Sequence, residues 1–239
     1  MKFLDLSLTD PAENLAADEA LLDAAEAGVG GETLRCWESP QPFVVVGYGN
    51  KIAAEVNATA CATLGVPILR RCSGGGTVVQ GSGCLNYSLI LNIAARAELA
   101  GITSTNRFVM EHNRDSLARL LGRPVAIQGH TDLTVGGLKF SGNAQRRKKN
   151  FVLFHGTFLL DFDLALIARL LPQPSQQPEY RQSRAHRDFL TNLSVPQSAV
   201  KRAMREAWQA HDILAPAPME TIRSQACDKY ATAHWNEKF

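Results

Sequence analysis

Cysteine is scarce and poorly placed for metal or disulfide chemistry. The 239-residue chain has five, Cys36, Cys61, Cys72, Cys84 and Cys227. The number is odd, no CxxC pair occurs and none sits in a histidine cluster. That argues against a zinc site and a disulfide framework, and a reduced, cytoplasmic setting is expected. No apolar run approaches the ~20 residues that span a bilayer, so no membrane partner is expected. The opening MKFLDLSLTDPAENLAADEALL lacks the charged-then-apolar order of a secretion leader. Charge of one sign is also missing: 25 Lys+Arg against 23 Asp+Glu leave a formal +2. The one basic run, Arg146-Arg147-Lys148-Lys149, reads as a solvated turn, and no nucleic-acid arm is expected. The glycine run at 74–76 fits neither the P-loop nor the dinucleotide fingerprint.

What is present suffices for one large domain, since 45% of residues are hydrophobic. Asp10-Pro11 predicts a helix start, with apolar recurrence to Gly28. Further helices are predicted at 57–64, 105–121, 164–171 and 200–210. Short strands are predicted at 33–38, 43–46, 66–70, 77–79, 85–91, 125–127, 132–135, 138–140, 151–154 and 156–160. Residues 136–137 read as a hairpin turn, 141–143 as a polar turn and PQPSQQPEYRQSR as a loop. The elements do not alternate βαβα, so the fold class is α/β of the α+β kind: a mixed, largely antiparallel sheet flanked by helices.

Two stretches carry chemistry. RRCSGGGTVVQGSG, residues 70–83, runs from a strand into bare backbone whose N–H groups can form an anion nest. Arg70 and Arg71 are candidates for bidentate contacts to a phosphate or carboxylate. The second stretch, residues 129–160, places Lys139 on a strand after Gly136-Gly137, on the face opposite Leu138 and Phe140. Ser141-Gly142-Asn143 and His155-Gly156-Thr157 follow. A lysine held in a cleft suits a carboxylate, a phosphate or a developing negative charge.

Taken together, LRCWESPQPFVVVGYGN, RRCSGGGTVV, TDL (131–133), LKFSGNAQRR (138–147), FHGTFLLDFDL (154–164) and SRAHRDFLTNL resemble the lipoate–protein ligase family, in their family order. That family lies within the wider biotin/lipoate ligase and octanoyltransferase group. The resemblance covers roughly residues 1–195 and implies the catalytic-domain fold of that group there. Residues 196–239 are left as a short helical extension, too short for the family's accessory domain. It implies activation of lipoate or octanoate by ATP to an acyl-adenylate. Transfer then follows to one lysine of a lipoyl-domain or H-protein-like acceptor, with a separate accessory protein as one option and a monomer expected. By residue, it implies Lys139 as the catalytic lysine. Arg71, Ser73, Gly74, Gly75, Gly76, Thr77, Val78 and Val79 would form the adenylate and lipoyl loop. Asp132 would act on the ATP side through Mg2+, and Ser141, His155 and Gly156 would line the pocket. Val45, Val46 and Val78 are candidate walls for the acyl tail.

Octanoyltransferases of the group use a cysteine instead of ATP. One type keeps it three residues before the FHG histidine, where this chain has Val152. Another keeps it in the strand before TDL, which here reads Pro124-Val125-Ala126-Ile127. Both seats lack cysteine, which favours ATP-dependent ligation. Gln80 stands where ligases carry histidine, and QGSGCLNYS looks more transferase-like, so transfer without ATP through Cys72 or Cys84 stays an alternative. A non-catalytic module holding a lipoylated partner is another. Biotin ligation is disfavoured because the GRGRxGR-type loop is absent.

Overall fold

Asp10 sits in extended backbone and accepts a hydrogen bond from Ala12 N at 2.8 Å, and Pro11 takes the first helical position. That cap starts a helix whose inward face is almost all alanine and leucine, so it can lie close against strands. In the computed structural model, which describes residues 1–174 and 176–239, this is α1 (Pro11–Glu26), following β1 (Lys2–Asp5). Next come β2 (Thr33–Trp37), β3 (Phe43–Val46), α2 (Ile52–Glu55), α3 (Ala58–Leu64), β4 (Ile68–Arg70), β5 (Val78–Gln80), β6 (Cys84–Asn92) and α4 (Ile102–Leu121). The second half holds β7 (Ala126–Gln128), β8 (Asp132–Val135), β9 (Leu138–Arg147), β10 (Phe151–Leu159), α5 (Leu164–Leu170), α6 (His186–Phe189) and α7 (Gln197–Ala207). It closes with β11 (Asp212–Ile213), α8 (Met219–Gln225), a π-helical turn at Ala226–Tyr230 and α9 (Ala233–Asn236).

The strands form two sheets. An eight-stranded sheet runs β11-β1-β2-β6-β10-β9-β8-β7, and a three-stranded sheet runs β4-β3-β5. Pairing is antiparallel except β1 with β2 and β11, and β3 with β4. The mixed, largely antiparallel sheet is therefore as expected. One face of the large sheet packs on α4 and α7 through Tyr87, Met110, Leu117, Phe154, Phe158, Met204 and Trp208. The small sheet is covered by α1 and the C-terminal helices on one side, and by α3 and α5 on the other.

Several elements differ from expectation. The turn at 141–143 is continuous strand in β9, and the break between 154 and 156 is continuous strand in β10. Each is paired throughout: Gly156 opposite Asn143, Thr157 opposite Gly142. β10 is laddered on both sides, to β6 and β9, whereas β9 beyond Ser141 is laddered to β10 alone and Thr131 Oγ1 satisfies the Asn143 carbonyl at 2.8 Å. Of the basic run, Arg146 and Arg147 end β9, and Lys148 pairs with Asp23 of α1. Arg147 donates to Thr105 Oγ1 at 3.0 Å and to the Leu99 carbonyl at 2.6 Å. The strand β1 was not expected. Residues 196–239 hold α7, α8, α9 and the π-helical turn, and add β11 to the large sheet and Val200, Met204 and Trp208 to its core. Val45 and Val46 enter two different clusters on opposite faces of the small sheet, so they do not share one pocket wall. In the Pro/Gln loop, residue 175 lies outside the described residues.

Candidate functional site

The site lies where the glycine loop of the small sheet meets β9 and β10 of the large one. In a strand, alternate residues share a face, so His155 and Thr157 of β10 face away from Phe154 and Phe158. On β9 their partners are Ala144 and Gly142. Ser73 Oγ reaches His155 Nε2 at 2.6 Å, and Gln80 Nε2 donates to Thr157 Oγ1 at 2.9 Å. An ideal Cβ on Gly75 would lie 3.3 Å from Ala144 Cβ. The loop is thus seated on a floor of small side chains.

Both arginines of the loop are internal struts. Arg71 is buried and donates from Nε to Gly74 O (3.0 Å) and Ser73 Oγ (3.1 Å), and from Nη2 to Gly74 O (2.6 Å) and Gly76 O (2.7 Å). Burial lowers its pKa to about 10, so it is a cation at neutral pH. Arg70 donates from Nη1 to the carbonyls of Gly47, Tyr48 and Asn50, and from Nε and Nη2 to Asn236 O. The expected arginine contacts to an anion are therefore not what these side chains make. They hold the loop's carbonyls, as does Asn50 Nδ2 on Gly75 O at 3.1 Å. The N–H groups of Gly74, Gly75 and Gly76 meet no acceptor among the described residues, which leaves them free for the anion nest the sequence suggests. Gly75 has φ +87°, a conformation glycine adopts freely, and Gly47 passes so close to Gly75 O that a Cβ there would overlap it.

Lys139 reaches the same face through a bulge. Leu133 pairs with Ser141 but Thr134 pairs with Lys139, so Phe140 is an extra residue in β9. Phe140 and Ser141 are both buried, while Lys139 lies outward with Gly142. The Lys139 ammonium pairs with Asp132 Oδ1 at 2.8 Å, and its side chain is 26% exposed, open to a ligand. A Cβ on Gly142 would meet Lys139 Nζ at 3.0 Å. Gly142 and Ala144 are two residues apart on one strand face, so the ammonium and the glycine nest are roughly 7 Å apart along β9.

Asp132 has both oxygens engaged, Oδ1 by Lys139 and Oδ2 by the Tyr180 hydroxyl at 2.7 Å. Burial and the Asp132 charge push the Tyr180 phenol up, so it donates as a neutral hydroxyl. No group of three or more His, Cys, Asp or Glu residues that could hold a metal occurs among the described residues. A single carboxylate suits an Mg2+ that would be held jointly by Asp132, waters and the phosphates of a nucleotide, rather than by a cage of protein ligands.

Ser141 and Gly156 face away from the nest. Asn143 Nδ2 donates to Ser141 Oγ (3.1 Å) and Thr131 O (2.6 Å), and Tyr87 Oη donates to Asn143 Oδ1 at 2.6 Å. A Cβ on Gly156 would fall inside the Asn143 carboxamide. Their part in the site is to seat Asn143, which ties the loop before β8 to β9. Thr77 and Val78 lie at the loop's exit, with Asn50 Nδ2 at 3.4 Å from Thr77 Oγ1, and Val79 is buried.

Sequence reasoning missed Asp18 of α1. Its Oδ2 receives His155 Nδ1 at 3.0 Å and its Oδ1 receives Arg35 Nη1 at 2.8 Å, with Asp18 and Arg35 buried and His155 partly exposed. In the tautomer that carries Nδ1–H toward Asp18, Nε2 is an acceptor for the Ser73 hydroxyl. Burial pushes the Asp18 carboxyl up, but the His155 hydrogen bond and the Arg35 charge outweigh it and hold the pKa below the usual value. Two polar residues at i and i+4, Asn14 and Asp18, in an otherwise apolar helix face were the available signal. Tyr180 had none.

Two cysteines adjoin the site without being presented at it: Cys72 lies between Arg71 and Ser73, and Cys84 Sγ donates to Gln80 Oε1 at 3.2 Å. Cys36, Cys61, Cys72 and Cys84 are buried. Burial, with Glu19 nearby, pushes the Cys72 thiol up to about 12, and burial drives Cys84 higher still. Neither is a thiolate near neutral pH, so neither suits an acyl carrier.

Residues 10–208 match the family model described as the lipoyl protein ligase A/B catalytic domain. Lipoate–protein ligase 1 of Staphylococcus aureus is 27% identical, over 99% of this chain and 73% of its own. Octanoyltransferase LipM of Symbiobacterium thermophilum is 32% identical, over 81% of this chain and 77% of its own. Among solved structures, a lipoate-protein ligase A bound with ATP superposes with TM-score 0.84 at 24% identity, over 99% and 98% of the two chains. A bi-partite lipoate protein ligase from Thermoplasma acidophilum, studied with its E2 lipoyl domain, gives 0.82 at 23%, over 99% and 95%.

Proposed function

Since this chain belongs to the lipoyl protein ligase A/B catalytic-domain family, we propose that it activates lipoate or octanoate with ATP and transfers the acyl group to a lysine of a lipoyl-domain acceptor. The observation that carries this reading is Lys139, bridged to Asp132 and roughly 7 Å along β9 from three unsatisfied glycine N–H groups. In the first step a carboxylate oxygen attacks the α-phosphorus, and the bond from that phosphorus to the bridging oxygen of pyrophosphate breaks. Negative charge grows on the α-phosphoryl oxygens and on the leaving group. A fixed ammonium and preoriented N–H groups stabilise it without reorganising. In the second step the acceptor amine attacks the acyl carbonyl, AMP leaves and the amine loses a proton. The same ammonium is placed to steady the departing phosphate. The ATP-bound ligase and the ligase studied with its E2 lipoyl domain support this reading by their fold. The bi-partite form of the latter makes a companion chain a reasonable accessory partner.

The test is to incubate the protein with lipoate, Mg-ATP and a lipoyl-domain acceptor and to weigh the acceptor. We expect ATP-dependent modification that falls by roughly 100-fold or more in Lys139→Ala. Acceptor modification that needs no ATP sinks the ligase reading.

A second reading draws on one observation, the Ser73–His155–Asp18 chain, and on the LipM relatives. A serine bonded to a histidine that is held by a carboxylate is the arrangement of an activated hydroxyl nucleophile. Here Ser73 Oγ would attack an acyl thioester, give its proton to His155 and expel the thiol, and the acceptor amine would then cleave the ester. A mass increment on Ser73 after incubation with octanoyl thioester and no ATP, absent in Ser73→Ala, is its signature.

A further inference from the structure

On the core face of the large sheet, away from the nest, one line of hydrogen bonds runs from α7 to the hairpin that carries Asp132 and Lys139. Trp208 Nε1, at the end of α7, donates to Asn113 Oδ1 of α4 at 2.9 Å. Asn113 Nδ2 donates to the Tyr87 hydroxyl of β6 at 2.8 Å, and Tyr87 Oη donates to Asn143 Oδ1 of β9 at 2.6 Å. Asn143 Nδ2 ends the line on Thr131 O at 2.6 Å. Trp208, Asn113 and Tyr87 are buried, and Tyr87 stacks on Phe158 with ring centroids 5.0 Å apart.

The direction of this line is fixed at both ends. An indole N–H only donates and a backbone carbonyl only accepts. Each carboxamide between them must turn its oxygen toward α7 and its NH2 toward the hairpin, and the Tyr87 proton is left for Asn143. Burial pushes the Tyr87 phenol up, so the hydroxyl keeps that proton. Removing any one member leaves its buried neighbours unpaired.

The line ends where the hairpin lacks other support. β8 and β9 are last paired at Leu133 and Ser141, and among the described residues no ladder pairing joins Thr131 or Asp132 to β9. Two side-chain bonds take over, Asn143 Nδ2 on Thr131 O and Thr131 Oγ1 on Asn143 O at 2.8 Å. Thr131 precedes Asp132, whose Oδ1 holds the Lys139 ammonium at 2.8 Å. Asn143 follows Gly142, against which Lys139 Nζ lies. A shift of Asn143 therefore moves both halves of the ion pair.

We infer that Trp208, Asn113 and Tyr87 are positioning residues that set Asn143, and through it the Asp132–Lys139 pair, from the opposite face of the sheet. The inference rests on the ligation reading, in which the Lys139 ammonium steadies charge in both steps. It adds that the layer of α4 and α7, and not the hairpin alone, determines where that ammonium stands.

The test follows lipoylation of a lipoyl-domain acceptor at steady state with the full chain, lipoate and Mg-ATP. Trp208→Phe keeps an aromatic ring beside His112 and Phe108 and removes the N–H. Tyr87→Phe keeps the stack on Phe158 and removes the hydroxyl. We expect each to lower kcat by roughly tenfold. KM for lipoate and ATP should stay within about twofold, because no substrate contact is lost. The double variant should fall no further than Tyr87→Phe alone, since both changes break one line. Amide exchange should quicken at residues 131–133 and 139–143 in each variant. Val200→Ala trims the same core on α7 outside the line, controls for lost stability, and should keep the wild-type kcat. Circular dichroism and urea unfolding verify folding, and should Tyr87→Phe not fold, Trp208→Phe decides alone. Wild-type kcat in Trp208→Phe, in a protein that Lys139→Ala inactivates, overturns the positioning role and leaves the ligation reading standing. Additive losses in the double variant, a rise in KM without a fall in kcat, or an equal loss in Val200→Ala overturn it too. A wild type that modifies no acceptor overturns the ligation reading. Quickened exchange at 131–143 in Trp208→Phe then still upholds the link from α7 to the hairpin, and unchanged exchange overturns that link as well.

Discussion

Asp18 serves two partners that need the same negative charge. It neutralises Arg35, a fully buried guanidinium, and it fixes His155 beneath the glycine loop. Asp18→Asn keeps the shape and removes the charge, stranding Arg35 in the core. We expect a loss of about 3 kcal/mol in urea unfolding, with Asp18→Leu/Arg35→Met recovering part of it, because a broken buried pair costs more than an absent one. The pH dependence follows from the lowered Asp18 pKa. A carboxyl held below its unfolded value near 3.8 adds stability above that pH and loses it as the pH falls further. Wild type should therefore lose stability below about pH 4 more steeply than Asp18→Asn. Equal slopes for the two proteins would refute the charge assignment.

At the scale of elements, one extra residue in β9 decides where the chemistry points. Without the bulge at Phe140, strict alternation would place Lys139 with Ser141 and Asn143, on the core face. The strand around Lys139 was legible from residues 138–140, and so was the face opposite Phe140. The bulge was not, since register belongs to a pair of strands and no single segment encodes it. The mid-strand glycines make a matched pair of tests. Gly156→Ala drives a methyl into the Asn143 carboxamide between two central strands, and we expect loss of at least about 3 kcal/mol or failure to fold. Gly142→Ala meets the flexible end of Lys139, so we expect less than about 1 kcal/mol in stability. Lipoylation should nonetheless fall, because the ammonium is displaced. Activity retained in Gly142→Ala would break the link between that bare backbone and the lysine.

The whole molecule joins two sheets at the loop, and its C-terminal end holds the join. Trp235 Nε1 donates to Arg70 O at 2.8 Å, Arg70 N donates to Asn236 Oδ1 at 2.7 Å, and Tyr230 donates to Glu19 of α1 at 2.8 Å. Asn236 O takes two further bonds from the Arg70 guanidinium. Trp235→Ala/Asn236→Ala should cost about 2 kcal/mol or more, from lost buried bonds and packing. Amide exchange should quicken in residues 70–77 and not in α4. Uniform loss of protection across the chain would show instead that the clasp is part of the global fold.

Local order was written in the residues themselves. The Asp10-Pro11 cap, the apolar periodicity of α1 and α4, the short β-branched strands and the glycine nest are properties of neighbours in the chain, and the motif order carried the family. Tertiary structure alone decided what those residues touch. It turned Arg70 and Arg71 from anion ligands into struts, because nearby carbonyls left by the turn claimed every well-placed donor. It buried Cys72 and Cys84, where low polarity keeps thiols protonated. It brought Asp18 to His155 across 137 residues and Tyr180 to Asp132 across 48. Such contacts depend on how two sheets pack, and a buried charge has meaning only once its partner's position is known.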